Sequence, residues 1–163
     1  MRGGRALKNL DYRMLQRQLK SLLEGETHWL ANLANTSALL FSELEDLNWV
    51  GFYLVEGPEL VLGPFQGKTA CVRIPLGTGV CGTAAERRET IVVPNVHDFP
   101  GHIACDAASQ SEVVLPLITP GDVLVGVLDM DSPVLARFDD ADARELKVIV
   151  DILMSACRWP SRV

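Results

Sequence analysis

The residues of this chain that could do chemistry gather in its middle. Three of its four cysteines, Cys71, Cys81 and Cys105, lie between positions 71 and 105, together with His97 and His102. A thiolate is both nucleophile and metal ligand, and a helix N-terminus or a positive neighbour supplies thiolate character. Cys81 has the best local claim, because it sits at the expected start of a short helix. Cys105 has Asp106 beside it, which would raise its pKa if the side chains meet, so its activation has to come from residues that the fold brings in. Cys157 stands apart and reads as a small apolar residue in packing.

Two other chemistries compete for the same stretch. A structural zinc site normally pairs its ligands two to four residues apart, and no such cysteine pair exists here; His102 and Cys105 would belong only to an irregular site. Gly77, Gly79 and Gly82 match the literal dinucleotide pattern G-x-G-x-x-G. That reading needs a βαβ unit with a substantial helix and an acid about 20 residues on, after a second parallel strand. The strand expected next runs instead into Pro94-Asn95. The glycines are read as permitting a tight turn that aims Cys81 at a cavity.

Carboxylates form the second cluster. Asp129 and Asp131 are two apart at the end of an apolar strand and so share a face. Glu112 precedes the neighbouring strand, at the same end if the two strands pair. Three close carboxyls cannot all ionise cheaply, so one pKa should rise and leave a proton donor near neutral pH beside acceptors for an ammonium group. Solvated acids at a strand end are the plainer alternative. Trp49, Gly51 and Tyr53 alternate onto one face of an earlier strand, an aromatic wall beside a glycine gap, although core packing explains such residues equally well.

The elements that must hold these residues follow from periodicity. Leu15, Leu19, Leu22 and Leu23 mark a one-sided helix broken by Gly25, and a second helix runs from about Trp29 to Leu44 with Leu30, Leu33, Ala34, Ser37, Leu40 and Phe41 on one face. A hairpin pairs 49–54 with 60–62 across Glu56-Gly57-Pro58. Strands follow at 71–75 and 90–93, on either side of a short helix at 83–88, then a loop from 97 to 111. Strands 113–118 and 123–129 are joined by Pro120-Gly121-Asp122. Asp139 caps a C-terminal helix whose apolar face is Leu146, Ile149, Val150, Leu153 and Cys157. The order gives an α+β fold of one domain over 1–163, a sheet with flanking helices, preceded by a poorly ordered extension at residues 1–10.

Composition narrows the setting. The chain has 163 residues, 48 % hydrophobic and 22 % charged, with net charge −6, which suits a globular domain and disfavours nucleic acid or an anionic membrane as partner. No stretch approaches the ~20 apolar residues of a membrane span, and no apolar run follows the charged N-terminus as a secretory signal requires. A cytoplasmic location with free thiols is the expectation.

Several segments are more specific than this. Trp49-Val50-Gly51-Phe52-Tyr53-Leu54, 62–68, 71–75 and 79–85 resemble the free methionine-R-sulfoxide reductases. So do the run from Val96 to Ser109, with His102-Ile103-Ala104-Cys105-Asp106 at its centre, and Gly126-Val127-Leu128-Asp129-Met130-Asp131-Ser132. The resemblance covers about residues 20–155. It implies a GAF-type fold with a central antiparallel sheet flanked by the N- and C-terminal helices, often as a homodimer. It implies free methionine-R-sulfoxide as substrate, with no bound cofactor or metal. Cys105 would attack the sulfoxide sulfur, Cys71 would resolve the sulfenic acid as a disulfide, Cys81 would be a second or alternative partner, and reduced thioredoxin would donate electrons. Glu112, Asp129 and Asp131 would hold the ammonium and sulfoxide groups, and Trp49 would face the methyl group, with Tyr53 beside it.

The chemistry is consistent with that assignment. A sulfoxide oxygen leaves badly unless protonated or strongly hydrogen-bonded, so an acid is needed beside the thiolate. A nearby second thiol condenses with the sulfenic acid before further oxidation. From helix position alone Cys81 would come first; only the resemblance puts Cys105 there. The competing function is a non-catalytic GAF module, either a small-ligand sensor or a thiol redox sensor that uses the same cysteines without a substrate.

Overall fold

In the computed structural model of the chain, residues 4–103 and 105–160 are described, with side chains from Tyr12 onward. The extension expected at residues 1–10 falls in part on residues 1–3, outside the described residues. Two helices, α1 (Gly4–Leu23) and α2 (Trp29–Glu43), open the chain. Then come β1 (Trp49–Glu56), β2 (Glu59–Gly67), β3 (Arg73–Pro75), α3 (Gly79–Arg87), β4 (Ile91–Val93), β5 (Ser111–Ile118), β6 (Leu124–Ser132) and α4 (Asp140–Ala156). The strands form one sheet in the order β3-β2-β1-β6-β5-β4, and every neighbouring pair is antiparallel. The expected α+β architecture is present.

Strand alternation divides the sheet into two unlike faces. On one, Val50, Phe52, Leu54, Val113, Leu115, Leu117, Leu128 and Met130 pack against α1, α2 and α4 in the main core. On the other, Trp49, Tyr53, Val114 and Val127 meet α3 and its flanking loops. Because β3 and β4 occupy opposite edges, α3 has to cross the second face between them. That crossing sets Cys81 over the middle of the sheet, and it removes the parallel βαβ unit that a dinucleotide reading of Gly77, Gly79 and Gly82 needs.

Several boundaries moved, each for a local reason. β2 continues through Gly67, not stopping at Leu62, because a bulge between the Gly51–Phe65 and Tyr53–Leu62 pairs absorbs Gly63 and Pro64. Cys71 is in coil, and the strand expected over 71–75 begins at Arg73. α3 starts at Gly79, four residues before the expected start. Its Gly82 lies where a Cβ would stand 2.4 Å from the Pro75 carbonyl oxygen, so close packing accounts for a glycine inside the helix. In α2 the buried stripe is Asn32, Leu33, Thr36, Ser37 and Leu40, while Leu30 and Ala34 face outward. Leu22 of α1 is also exposed. At the other end Asp139 caps α4 as expected, accepting from the Ala141 and Asp142 N–H groups, and the Asp142 carboxylate accepts from the Asp139 N–H in return. Cys157 follows α4 as its C-cap residue, half-buried, with Asn32 Nδ2 3.6 Å from its sulfur.

Candidate active site

The site lies at one end of the second face. β1, β6 and β5 are adjacent there, and register brings Asp131 opposite both Trp49 and Glu112, and Asp129 opposite both Gly51 and Val114. Cross-strand partners share a face, so Trp49, Asp129, Asp131 and Glu112 converge from three strands. They line a cavity with Tyr53, Cys81, His102, Cys105 and Ser109. The cavity holds about 520 Å³ of empty space, counting the part open to solvent, which suits a small molecule. The expectation that Glu112 lies at the same strand end as the two aspartates is met.

The acids are held unlike ordinary surface carboxylates. Glu112 and Asp129 are buried, at 5 % and 6 % exposure. Burial is the main cause that pushes the pKa of Glu112, Asp129 and Asp131 well above the carboxylate range; next come Asp131 for Glu112, Glu112 for Asp129, and Asp129 for Asp131. One Asp129 oxygen, Oδ1, is buried without a hydrogen-bond partner. His102 Nε2 is 3.4 Å from Glu112 Oε2, and burial lowers the imidazole pKa, so it stands there uncharged near neutral pH. The plainer alternative of solvated acids does not hold for Glu112 and Asp129.

The three cysteines are in different situations. Cys71 and Cys105 form a disulfide with their Cα atoms 5.7 Å apart, a span in the usual range. Cys105 lines the cavity and is exposed, whereas Cys71 stands just outside the lining. Cys81 is free and buried, its sulfur 3.9 Å from Glu112 Oε1. Burial first, and then the charges of Asp129 and Glu112, raise its pKa well above the ordinary thiol value. Its place in the first turn of α3 therefore does not make it the reactive thiolate that helix position alone suggests. Asp106 is engaged elsewhere: its carboxylate accepts from the Ala108 N–H at 2.9 Å and from Asn48 Nδ2 at 3.1 Å, and lies 3.9 Å from Lys68 Nζ.

The aromatic wall is filled differently from the expected gap. A Cβ on Gly51 would lie 2.5 Å from the end of the Trp49 ring, so that ring itself occupies the space above Gly51. It stacks between Phe65, at a centroid distance of 5.3 Å, and Tyr53, at 5.9 Å. The polar ends of both residues go to the chain between β2 and β3: Trp49 Nε1 donates to the Lys68 carbonyl and Tyr53 OH to that of Cys71. Cys81, Glu112 and Asp129 bring one donor atom each within 4.8 Å of one another, the grouping among the described residues that could receive a cation, whether a metal ion or an ammonium group.

Comparison with known proteins agrees with this geometry. The GAF domain family model matches residues 31–156. The free methionine-R-sulfoxide reductase of Escherichia coli is 58 % identical over 85 % of this chain and 84 % of its own, and that of Saccharomyces cerevisiae is 41 % identical over 85 % and 81 %. The chain belongs to the free methionine-R-sulfoxide reductase family of GAF-domain proteins. Within that family, the X-ray structure of the Neisseria meningitidis reductase in complex with its substrate superposes with a TM-score of 0.85, at 49 % identity over 89 % of this chain and 87 % of that one.

Sequence reasoning missed part of what this family member assembles. The sequence offers His102 as an irregular metal ligand or as a surface or hydrogen-bonding loop residue and does not point to its contact with Glu112. Asn48, the residue before β1, donates from Nδ2 to Asp106 Oδ2 and to Ser109 Oγ at 3.0 Å, and so ties down the loop that carries Cys105. No periodicity marks an asparagine in that position. Among the described residues no helix is long and apolar enough to cross a membrane.

Proposed function

We propose that the protein reduces free methionine-R-sulfoxide to methionine. The observation that carries this reading is the pairing, in one cavity, of a sulfur already linked to a second cysteine with buried carboxyl groups whose pKa values are raised. With the disulfide reduced, Cys105 faces the cavity and attacks the sulfoxide sulfur. A protonated carboxyl of the Glu112–Asp129–Asp131 group gives its proton to the departing oxygen. One sulfoxide and one thiol become one sulfide and one sulfenic acid. Cys71 then condenses with the sulfenic acid, releasing water and forming the disulfide. A dithiol reductant of the thioredoxin class returns both cysteines to thiols.

The substrate is a free amino acid in this reading because the cavity offers partners for both of its charges. The remaining carboxylates suit the ammonium group, and the unpartnered Asp129 Oδ1 is a ready acceptor. At the other side the Thr78 side chain leaves the start of α3 uncapped, so its first N–H groups suit the α-carboxylate. The Trp49 ring supplies an apolar surface for the methyl group. Cys81, buried and protonated, serves as a neighbour of Glu112 and Asp129, with any resolving role secondary to Cys71. No bound cofactor is required, and the cytoplasm is where thioredoxin would keep the cycle running.

The test is to follow NADPH oxidation with thioredoxin, its reductase and racemic free methionine sulfoxide. Consumption should stop at about half of the racemate, leaving the S epimer. Absence of turnover would overturn the reading and favour a redox sensor.

A further inference from the structure

The cycle needs more than two thiols in the same region. Cys71 sits in the coil between β2 and β3, where no strand or helix fixes it, and must meet a sulfenic acid carried by a second loop. The two cysteines are 34 positions apart in sequence, so their encounter depends on how firmly each loop is held. β1 and the residue before it hold both loops. Asn48 anchors the Cys105 loop through Asp106 and Ser109. Trp49 Nε1 donates to the Lys68 carbonyl at 3.0 Å, and Tyr53 OH to the carbonyl of Cys71 itself at 2.9 Å. On the far side of Cys71, the Leu62 N–H donates to the Val72 carbonyl, also at 2.9 Å.

We propose that the Tyr53 hydroxyl is a positioning group for the resolving step, fixing the Cys71 backbone so that its thiol is within reach of the Cys105 sulfenic acid. Tyr53 therefore has two parts with two tasks. Its ring is part of the cavity wall, while its hydroxyl is committed to the coil that bears Cys71 and acts on disulfide closure. The residue is only 1 % exposed, so solvent competes little for that carbonyl. Burial, then Asp129, keep it protonated and hence a donor at any physiological pH. The step is Cys105–SOH plus Cys71–SH giving the disulfide and water. Its place in the cycle rests on the proposed sulfoxide reduction, but its test does not.

Fully reduced protein is pulsed with hydrogen peroxide, which oxidises Cys105 to the sulfenic acid and is itself reduced to water. Closure is then followed by quenching with dimedone and measuring, by peptide mass, the ratio of Cys105 adduct to Cys71–Cys105 disulfide. In Tyr53→Phe, closure should slow by roughly three- to tenfold, the effect of one net hydrogen bond, and the adduct should accumulate in proportion. A role confined to the cavity wall would leave this ratio untouched, because no substrate is present. Closure within twofold of the unaltered protein would overturn the proposal. If Tyr53→Phe fails to fold by circular dichroism, Tyr53→Met decides, because it also lacks the hydroxyl while filling the wall with a flexible apolar side chain. It should slow closure at least threefold, and closure within twofold of the unaltered protein there would equally overturn the proposal. Peroxide-driven closure that depends on Tyr53 in a protein that does not turn over methionine sulfoxide would sink the functional reading and leave this inference standing.

Discussion

The two faces of the sheet are made from the same strands and have opposite economies. Along β6, Leu128 and Met130 point into the helical core, while Asp129 and Asp131 point into the cavity. Removing apolar area from water stabilises the first face by about 25 cal/mol for each Å². On the second, burying acids costs free energy, which is offset in part by keeping them protonated and in part by the aromatic and aliphatic residues around them. The difference shows where each property resides. Stability comes mostly from the side packed on α1, α2 and α4, and that reserve lets the other side bury carboxyl groups whose pKa values are raised.

The comparison breaks most visibly at Cys105. Cys105→Ser should reduce methionine release to background with the melting temperature little changed, measured by single-turnover assay and calorimetry. Glu112→Gln should lower kcat/KM by about 10²- to 10⁴-fold, the usual range for removing a proton donor, in the thioredoxin-coupled assay. If the acids were only structural, that variant would keep its rate. On the opposite face, Leu128→Ala should cost about 2–5 kcal/mol of unfolding free energy in urea titrations while the folded protein keeps its chemistry.

The smallest effect is the most discriminating between the faces. The folded pKa values of Glu112, Asp129 and Asp131 stand above their unfolded values, so the folded state holds more protons once the unfolded carboxyls ionise. Their stabilising contribution is complete below the unfolded pKa, near 4, and declines as pH rises through the folded values. Unfolding free energy should therefore fall from pH 5 toward pH 8. Glu112→Gln should flatten the slope, whereas Leu128→Ala should displace the curve without changing it.

Much of this arrangement is legible in the sequence because it depends on period and turn chemistry. The spacing of Asp129 and Asp131 fixes their common face, and the short turn before β6 fixes Glu112 at their end. Asp139 announces α4 through its capping pattern. What is not legible comes from close approach across the sheet. Gly63-Pro64 resembles the end of a strand and is instead a bulge within one. The gap at Gly51 is filled by the Trp49 ring, which no local pattern encodes. The raised pKa of Cys81 follows first from its burial against the sheet and then from acids 48 and 31 positions away in sequence, and helix position could not foresee either. The burial of Asn32 and Thr36 in α2, in place of Leu30 and Ala34, likewise reflects how that helix is rotated against its neighbours.

The central claim is that Cys105 reduces the sulfoxide and Cys71 captures the sulfenic acid that Cys105 becomes. Reduced protein, freed of thioredoxin, should be mixed with excess free methionine-R-sulfoxide, with methionine and disulfides counted by mass spectrometry. The account predicts one methionine released per chain and one Cys71–Cys105 disulfide formed in step with it. Methionine released with no disulfide, or with a disulfide through Cys81 in its place, would contradict it.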